Sequence, residues 1–218
     1  MKSCCLSTSR TKKCYRLKDK KVFQLPRRFT KKKCSQFTKS KNKGFTIKSS
    51  CAPYQGCQKG GNKRKAIAKL TENPKIKGFI TFEELETKKL KITYQVEGLT
   101  DGKHGFHIHE YGDLSEGCKS ACAHFNPLHK HHGSLNSKER HAGDLGNIAS
   151  KNNMAKGTII AKDISLRDNK FNIVGRMVII HQDEDDLGRG KGDQKEESLK
   201  TGNAGKRITC GVIGRMKS

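Results

Sequence analysis

The chain has 218 residues, of which 32% are hydrophobic and 6% aromatic, and it contains no Trp. A chain of this length holds one or two domains, and so few apolar residues argue against one core that spans all of it. No apolar run approaches the roughly 18 residues that a membrane-spanning helix requires, so no transmembrane helix is predicted.

Positive charge is concentrated in the N-terminal part of the chain. Residues 1–62 carry 18 Lys and Arg against one acid, Asp19, a net charge of +17, whereas residues 63–218 carry 28 against 20, a net charge of +8. All nine His lie between His104 and His181, and six of the nine Cys lie before residue 58. We therefore divide the chain into a basic extension, residues 1–62, and a domain, residues 63–218.

The extension is predicted to be a disordered arm. Its longest apolar segment is residues 22–25 (VFQL), which is too little buried surface to offset the entropy lost on ordering. Three interpretations stay open: a solvated arm without specific chemistry, a transit segment for an organelle, or an arm that binds a polyanion such as nucleic acid or anionic lipid. Residues 1–13 lack the apolar stretch of a secretory signal. No zinc site is expected, because no Cys-x-x-Cys pair and no nearby His accompany Cys4, Cys5, Cys14, Cys34, Cys51 and Cys57.

From Lys65 onward, apolar residues follow the two-residue period of β-strands. In residues 90–96 every second residue is apolar, which places the apolar set on one face of a strand. Similar runs, separated by Gly, Asn and Asp, occur at residues 66–70, 76–82, 157–164, 171–181 and 208–213. Many short strands with polar turns indicate an antiparallel sandwich or barrel of about 150 residues.

The remaining segments of the domain are predicted to be connections. Residues 83–90 contain helix formers but no second apolar turn, so they are interpreted as a hairpin connection. Residues 110–157 and 182–206 do not fit as strands, and no helix-length amphipathic segment competes convincingly. Long loops in a compact domain are more often functional than accidental.

Histidines form the sharpest local signal in the sequence. In an extended strand, residues i and i+2 point to the same face, so His107 and His109 can present two imidazoles to one ion. A polar strand face would explain this pair equally well, but more candidate ligands follow: His124, His132, His141, Asp144 and His181. Three imidazoles with a carboxylate are typical of zinc, and an all-imidazole set suits copper. Spacing alone does not sort these ligands, and it leaves open solvent-facing or supporting roles for His104, His129 and His131.

Residues from about 64 to 214 closely resemble copper,zinc superoxide dismutase. The matching stretches, in order, are residues 104–113 (HGFHIHEYGD), 117–118 (GC), 124–127 (HFNP), 140–147 (RHAGDLGN), 175–176 (GR), 185–188 (DDLG), 202–205 (GNAG) and 210–214 (CGVIG). The resemblance implies an all-β fold, an eight-stranded antiparallel Greek-key barrel or sandwich with two long functional loops. It also implies disproportionation of superoxide to dioxygen and hydrogen peroxide, which protects against oxidative damage.

Carried over by position, the resemblance implies the metal ligands. Copper is expected on His107, His109, His124 and His181. Zinc is expected on His124, His132, His141 and Asp144, with the His124 imidazolate bridging the two ions. Asp185 resembles the carboxylate that orients one imidazole on each side.

The resemblance also implies catalytic and channel residues. Arg207 is expected to dock the superoxide anion, and the bridging nitrogen of His124 is expected to accept and return a proton. Lys200 and Thr201 match positions that line the channel, and Glu197 matches an acid that shapes its field. The expected disulfide joins Cys118 and Cys210.

Several positions depart from the family pattern. The channel loop carries additional residues around 191–195, and Cys122 and Ala123 replace the usual Gly-Pro before His124. The family is generally homodimeric, which implies a dimer, although Lys69 and Arg215 stand where the dimer contact is usually apolar.

Two other functions and several locations are weighed against this enzyme. One alternative is a catalytically inactive relative that binds metal, such as a copper chaperone or decoy. The other is a polyanion-binding protein that acts through residues 1–62. We expect a cytoplasmic location, with an organelle, or the virion and host cytoplasm for a viral source, as alternatives.

Overall fold

The computed structural model describes residues 2–3, 13–16, 21–24, 34, 51, 64–85, 89–167 and 169–217. The chain divides into two units, Met1–Gly61 and Asn62–Ser218. Most of the extension lies outside the described residues, so its predicted disorder, its transit or polyanion-binding role and the expected absence of a zinc site stay predictions. No helix in the described part of the chain is both long and apolar enough to cross a membrane.

Three short strands form a small sheet in the first unit. They are β1 (Lys2–Ser3), β2 (Lys13–Tyr15) and β3 (Val22–Gln24), in the order β1-β2-β3. The β1–β2 pair is parallel and the β2–β3 pair is antiparallel. Cys14 faces Phe23 across the second pair and both are buried, while Cys34 and Cys51 form a disulfide.

The second unit is built from antiparallel strands in two sheets. The strands are β4 (Lys65–Lys69), β5 (Lys77–Glu84), β6 (Leu90–Glu97), β7 (Gly102–His109), β8 (Asp144–Ser150), β9 (Met154–Ala161), β10 (Met177–His181), β11 (Arg207–Val212) and β12 (Gly214–Arg215). One sheet has the order β11-β10-β7-β8 and the other has the order β12-β4-β5-β6-β9. Only Ile213 separates β11 from β12, so one strand crosses from sheet to sheet, and the described residues of the domain form eight strands. This architecture confirms the predicted Greek-key barrel or sandwich.

The core lies between the two sheets, where the two-residue period places alternate side chains. In β6, Leu90, Ile92 and Val96 are buried while Lys91 is exposed, as the sequence predicts. β10 is buried at every residue because both of its faces are covered. Val178 and Ile180 join the main core, whereas Met177 and Ile179 pack against the cluster around Cys118 and Cys210.

The hairpin connection is confirmed, because β5 ends at Glu84 and pairs antiparallel with β6, which begins at Leu90. Two other interpretations of local structure are wrong. β8 and the start of β9 lie within residues 110–157, which were expected to form a loop. The sequence of β8 shows no alternation of apolar and polar residues, because both faces of this strand are largely buried. The buried residue at its first position is Asp144. In residues 171–181 only β10 is a strand, since Gly175 has a φ of 85° and interrupts the extended backbone.

The second long loop contains one helix and one 3-10 turn. Helix α1 (Lys195–Thr201) follows directly on a 3-10 helix at Gly192–Gln194. Seven residues are too few to show a helical apolar period, and Ser198 is the residue that α1 buries. A second 3-10 helix, Lys119–Ala121, lies in the first loop, next to Cys118.

Candidate metal centre

Four imidazoles converge beside the four-stranded sheet. His107 and His109 lie on the same face of β7, and His181 ends the neighbouring strand β10. A short antiparallel bridge pairs His109 with His124, which brings the first loop back to the end of β7. All four side chains are buried, and one candidate ligand atom from each lies within 4.8 Å of the others.

A second buried group shares His124 and contains Asp144 at the start of β8. Asp144 Oδ1 lies 2.9 Å from His124 Nδ1, 3.0 Å from His132 Nδ1 and 3.2 Å from His141 Nδ1. These atoms also lie within 4.8 Å of one another. Three imidazole nitrogens around one carboxylate oxygen match the ligand set that zinc prefers.

The structure separates the remaining histidines from these groups. His129 and His131 are exposed, whereas His132 is buried and its backbone N–H donates to Leu199 O at 2.8 Å. His104 is buried, but its two ring nitrogens lie 2.9 Å from the carbonyl oxygens of His181 and Thr100. His104 therefore supports the backbone around the site and belongs to neither group of candidate ligands.

Asp185 connects the two groups. Its Oδ2 accepts a hydrogen bond from His107 Nε2 and its Oδ1 accepts one from His132 Nε2, both at 2.8 Å. These bonds place a ring proton on Nε2, so Nδ1 is the atom through which each imidazole, once Nδ1 is deprotonated, would bind a metal ion.

The Nδ1 atom of His107 tests whether this centre fits a metal ion. It is buried and has no hydrogen-bond partner among the described residues, while His132 Nδ1 lies out of line for a hydrogen bond with Asp144. An unpartnered buried nitrogen is costly unless something else satisfies its lone pair. The donor set therefore fits copper on the His107 side and zinc on the His132 side.

The protonation states of most residues in the centre also favour metal binding. Burial lowers the pKa of His107 to about 3 and that of His181 to about 4, and nearby His124 adds to both shifts. Burial raises the pKa of Asp144, but its three imidazole neighbours outweigh this effect and hold the pKa far below the ordinary value. Neutral imidazoles and an ionised carboxylate are the forms that bind metals.

His132 behaves differently in the metal-free protein. Burial lowers its pKa, but the carboxylates of Asp144 and Asp185 outweigh burial and raise the pKa to about 9. His132 therefore carries a proton at neutral pH that a metal ion would have to displace.

A pocket of about 570 Å³ opens onto the first group of imidazoles. Three of the histidines line it, together with Ala123, the loop residues 203–205 and the channel side chains predicted from sequence, Glu197, Lys200, Thr201 and Arg207. Gln194 also lines it, and it belongs to the stretch around 191–195 where the sequence carries additional channel-loop residues. Within α1, the Thr201 hydroxyl donates to Glu197 Oε1 at 2.7 Å.

Arg207 is held beside the expected disulfide. Its guanidinium donates to the carbonyl oxygens of Cys118 at 2.8 Å, Lys119 at 3.0 Å and Cys122 at 2.5 Å. Cys118 is bonded to Cys210, which lies three residues after Arg207 on β11. The carbonyl oxygen of Cys122 also lies 2.8 Å from His109 Nδ1, so one peptide group positions both Arg207 and an imidazole.

Comparison with known proteins shows which family the chain resembles. The family model for copper/zinc superoxide dismutase (SODC) matches residues 76–213. A superoxide dismutase [Cu-Zn] of Paramecium bursaria Chlorella virus 1 is 55% identical over 154 residues, which cover 70% of this chain and 79% of the viral protein. An extracellular superoxide dismutase [Cu-Zn] of Onchocerca volvulus is 46% identical over 157 residues, covering 71% of this chain and 78% of that protein. The crystal structure of the clock protein EA4 superposes with a TM-score of 0.66 at 42% identity, covering 72% of this chain and 98% of EA4.

Proposed function

Since the chain belongs to the copper/zinc superoxide dismutase family, we propose that its copper is held by four buried imidazoles, those of His107, His109, His124 and His181. The chain is an antioxidant enzyme that converts two superoxide anions and two protons into dioxygen and hydrogen peroxide, with copper and zinc as cofactors. The assignment of these residues as metal ligands rests on one observation, the two buried groups of candidate ligands that share His124. Zinc is then held by His124, His132, His141 and Asp144.

The two cofactors have separate tasks. Bound copper would supply the one-electron redox chemistry, and bound zinc would hold the shared imidazole of His124 in place. His124 turns Nδ1 toward Asp144 at 2.9 Å, which leaves Nε2 for the copper group. Nε2 of His124 is therefore the atom to which we assign the proton passed to the product.

The anionic substrate binds beside three side chains of the pocket, those of Arg207, Lys200 and Thr201. Glu197 shapes the electrostatic field around them. The guanidinium of Arg207 donates hydrogen bonds to three carbonyl oxygens, and these bonds hold it beside the pocket. A positive patch at the mouth raises the encounter rate with an anion. Asp185 is a positioning residue, because it orients His107 and His132 without facing the pocket.

This assignment is tested by metal content and turnover after reconstitution with copper and zinc. We expect about one copper and one zinc per chain, with His181→Ala losing copper and activity while retaining zinc. His131→Ala is the matched control, because His131 is exposed and outside both ligand groups. Full copper content in His181→Ala would overturn the copper assignment. A catalytically inactive relative is not favoured, given the enzymes to which the chain is similar.

A homodimer is proposed from the family pattern. Tyr111 and Leu114 support it, because these large apolar side chains in the first loop are 56% and 47% exposed. Lys69 and Arg215 are also exposed, so a dimer contact that includes them must leave their charges solvated or paired. Sedimentation equilibrium is expected to give a dimer mass that falls to a monomer mass in Tyr111→Ser. A monomer mass for the natural chain would overturn this proposal.

A polyanion-binding role is proposed for residues 1–62 because of their net charge of +17, and a cytoplasmic location is proposed for the enzyme. The full chain should bind a DNA column and elute later in a salt gradient than a chain lacking residues 1–62, with equal dismutase activity in both. Equal elution of the two chains would rule out the polyanion role.

Fluorescent-fusion imaging tests the proposed cytoplasmic location. If the extension instead targets the protein to an organelle, the full chain should lie in that organelle and the chain lacking residues 1–62 should move to the cytoplasm.

A further inference from the structure

Gln194 is the last residue of the 3-10 helix that precedes α1, and it lines the same pocket as Arg207 and Lys200. We propose that Gln194 is a further residue that controls substrate access, one that sets how readily an anion enters the copper pocket. This inference rests on the proposed function of the pocket.

The position of Gln194 is held by the surrounding loop. Its backbone N–H donates to Lys191 O at 3.2 Å, and its carbonyl oxygen accepts a hydrogen bond from Asn203 Nδ2 at 3.2 Å. The same amide of Asn203 donates to Asp186 Oδ2 at 2.7 Å. Asp186 Oδ1 in turn accepts a hydrogen bond from the hydroxyl of Ser198, which α1 buries. Gln194 is therefore tied to both the helix and the loop that border the pocket.

A charge placed at position 194 would add directly to the electrostatic field in the pocket mouth. Two of the lining side chains, Lys200 and Arg207, are cationic and one, Glu197, is anionic. Gln194 is exposed and uncharged, so its carboxamide N–H can donate to a passing anion without opposing the cations. A carboxylate of the same size would add a negative charge at this point.

The size of the effect follows from Coulomb's law. A unit charge about 10 Å from an approaching anion changes the encounter rate by roughly twofold in water of low ionic strength. Salt at about 0.15 M screens most of this effect. A residue that acts through the field at the mouth therefore gives a salt-dependent change in rate and leaves metal content untouched.

The experiment compares Gln194→Glu and Gln194→Lys with Gln95→Glu and Gln95→Lys, all in the copper- and zinc-loaded full chain. Gln95 is the matched control because it lies in β6 and lines no part of the pocket. We expect Gln194→Glu to lower kcat/KM and to weaken azide binding, followed by optical titration, each by about twofold at low salt. Gln194→Lys should shift both in the opposite direction, and both effects should fade as salt rises.

The inference is overturned if the Gln194 variants match the Gln95 variants in both measurements at low salt. Unequal metal content between the variants, or a twofold change that persists at high salt, would also overturn it. Failure of the natural chain to turn over superoxide when fully loaded would instead reject the proposed function, so the two failures are distinguishable.

Discussion

His107 and Asp185 are joined by a hydrogen bond of 2.8 Å, and neither side chain is exposed to solvent. The other oxygen of Asp185 accepts a bond of the same length from His132. Burial raises the pKa of Asp185, but the two imidazoles outweigh it and lower the pKa well below the ordinary value. One ionised carboxylate thus fixes the tautomer of an imidazole in each ligand group.

Asp185→Asn is expected to weaken metal binding by about 10–100-fold. An amide presents an NH₂ group to one of the two N–H donors, so at least one imidazole loses its partner. Competition with a chelator, followed by copper and zinc analysis, measures the change. Asp183→Asn is the control, because Asp183 is exposed nearby. Equal metal retention in both variants would contradict this role for Asp185.

Stability of the metal-free chain should fall as pH decreases from about 6.5 to about 4. His107 and His181 have pKa values of about 3 and 4 in the folded chain, so the unfolded chain binds more protons in this window. Each such proton changes the free energy of unfolding by at most about 1.4 kcal/mol per pH unit. The raised pKa of His132 acts in the other direction, with stability lost as pH rises toward 9.

Urea unfolding at several pH values across the acidic window measures this dependence. His181→Gln should show a shallower slope, because it removes one of the groups that take up a proton on unfolding. His131→Gln should leave the slope unchanged, since His131 lies outside the buried groups. A flat profile for the natural chain would refute the prediction.

Loss of the Cys118–Cys210 disulfide should lower the free energy of unfolding by about 4 kcal/mol. The two cysteines are 92 residues apart in sequence, so the bond restricts a long loop in the unfolded chain. Urea unfolding of metal-free Cys210→Ser measures the loss. Cys122→Ser is a suitable control, because Cys122 is an exposed free thiol in the described part of the chain. Similar midpoints for the two variants would speak against the disulfide as a main source of stability.

Cys122→Gly should raise stability by about 1 kcal/mol. The backbone at Cys122 has φ 62° and ψ −146°, a conformation that favours glycine. The carbonyl group that accepts hydrogen bonds from His109 and Arg207 remains, so dismutase activity should not change. Thermal unfolding of Cys122→Gly against Cys122→Ser isolates the backbone effect, and a lower Tm for the glycine variant would show that no strain is relieved.

Thr209→Val should stabilise the domain by about 1–2 kcal/mol. Thr209 is fully buried on β11, and its hydroxyl has no hydrogen-bond partner in the described part of the chain. Valine has nearly the same shape and removes the unpaired polar group. The comparison is Thr158→Val on the exposed face of β9, for which no comparable gain is expected. A destabilised Thr209→Val would indicate that the hydroxyl is satisfied by water.

Much of the fold could be predicted because strand geometry is local. Alternation in residues 90–96 predicts one buried face, and β6 has that face in the structure. β8 could not be found in this way, because burial of both faces hides the two-residue period. Helix α1 is also too short for its own periodicity to appear in the sequence.

The sequence by itself determined the residue types of a metal centre and the face shared by His107 and His109, because neighbours two apart in a strand point the same way. Resemblance then selected His132 among the loop histidines. Only the tertiary structure decided that His132 is buried while His131 is exposed, and that His124 returns to the end of β7. It also decided that Asp185 reaches His107 across 78 positions of sequence and that Gln194 borders the pocket. Such contacts depend on how distant segments pack, and no local pattern of side chains encodes that packing.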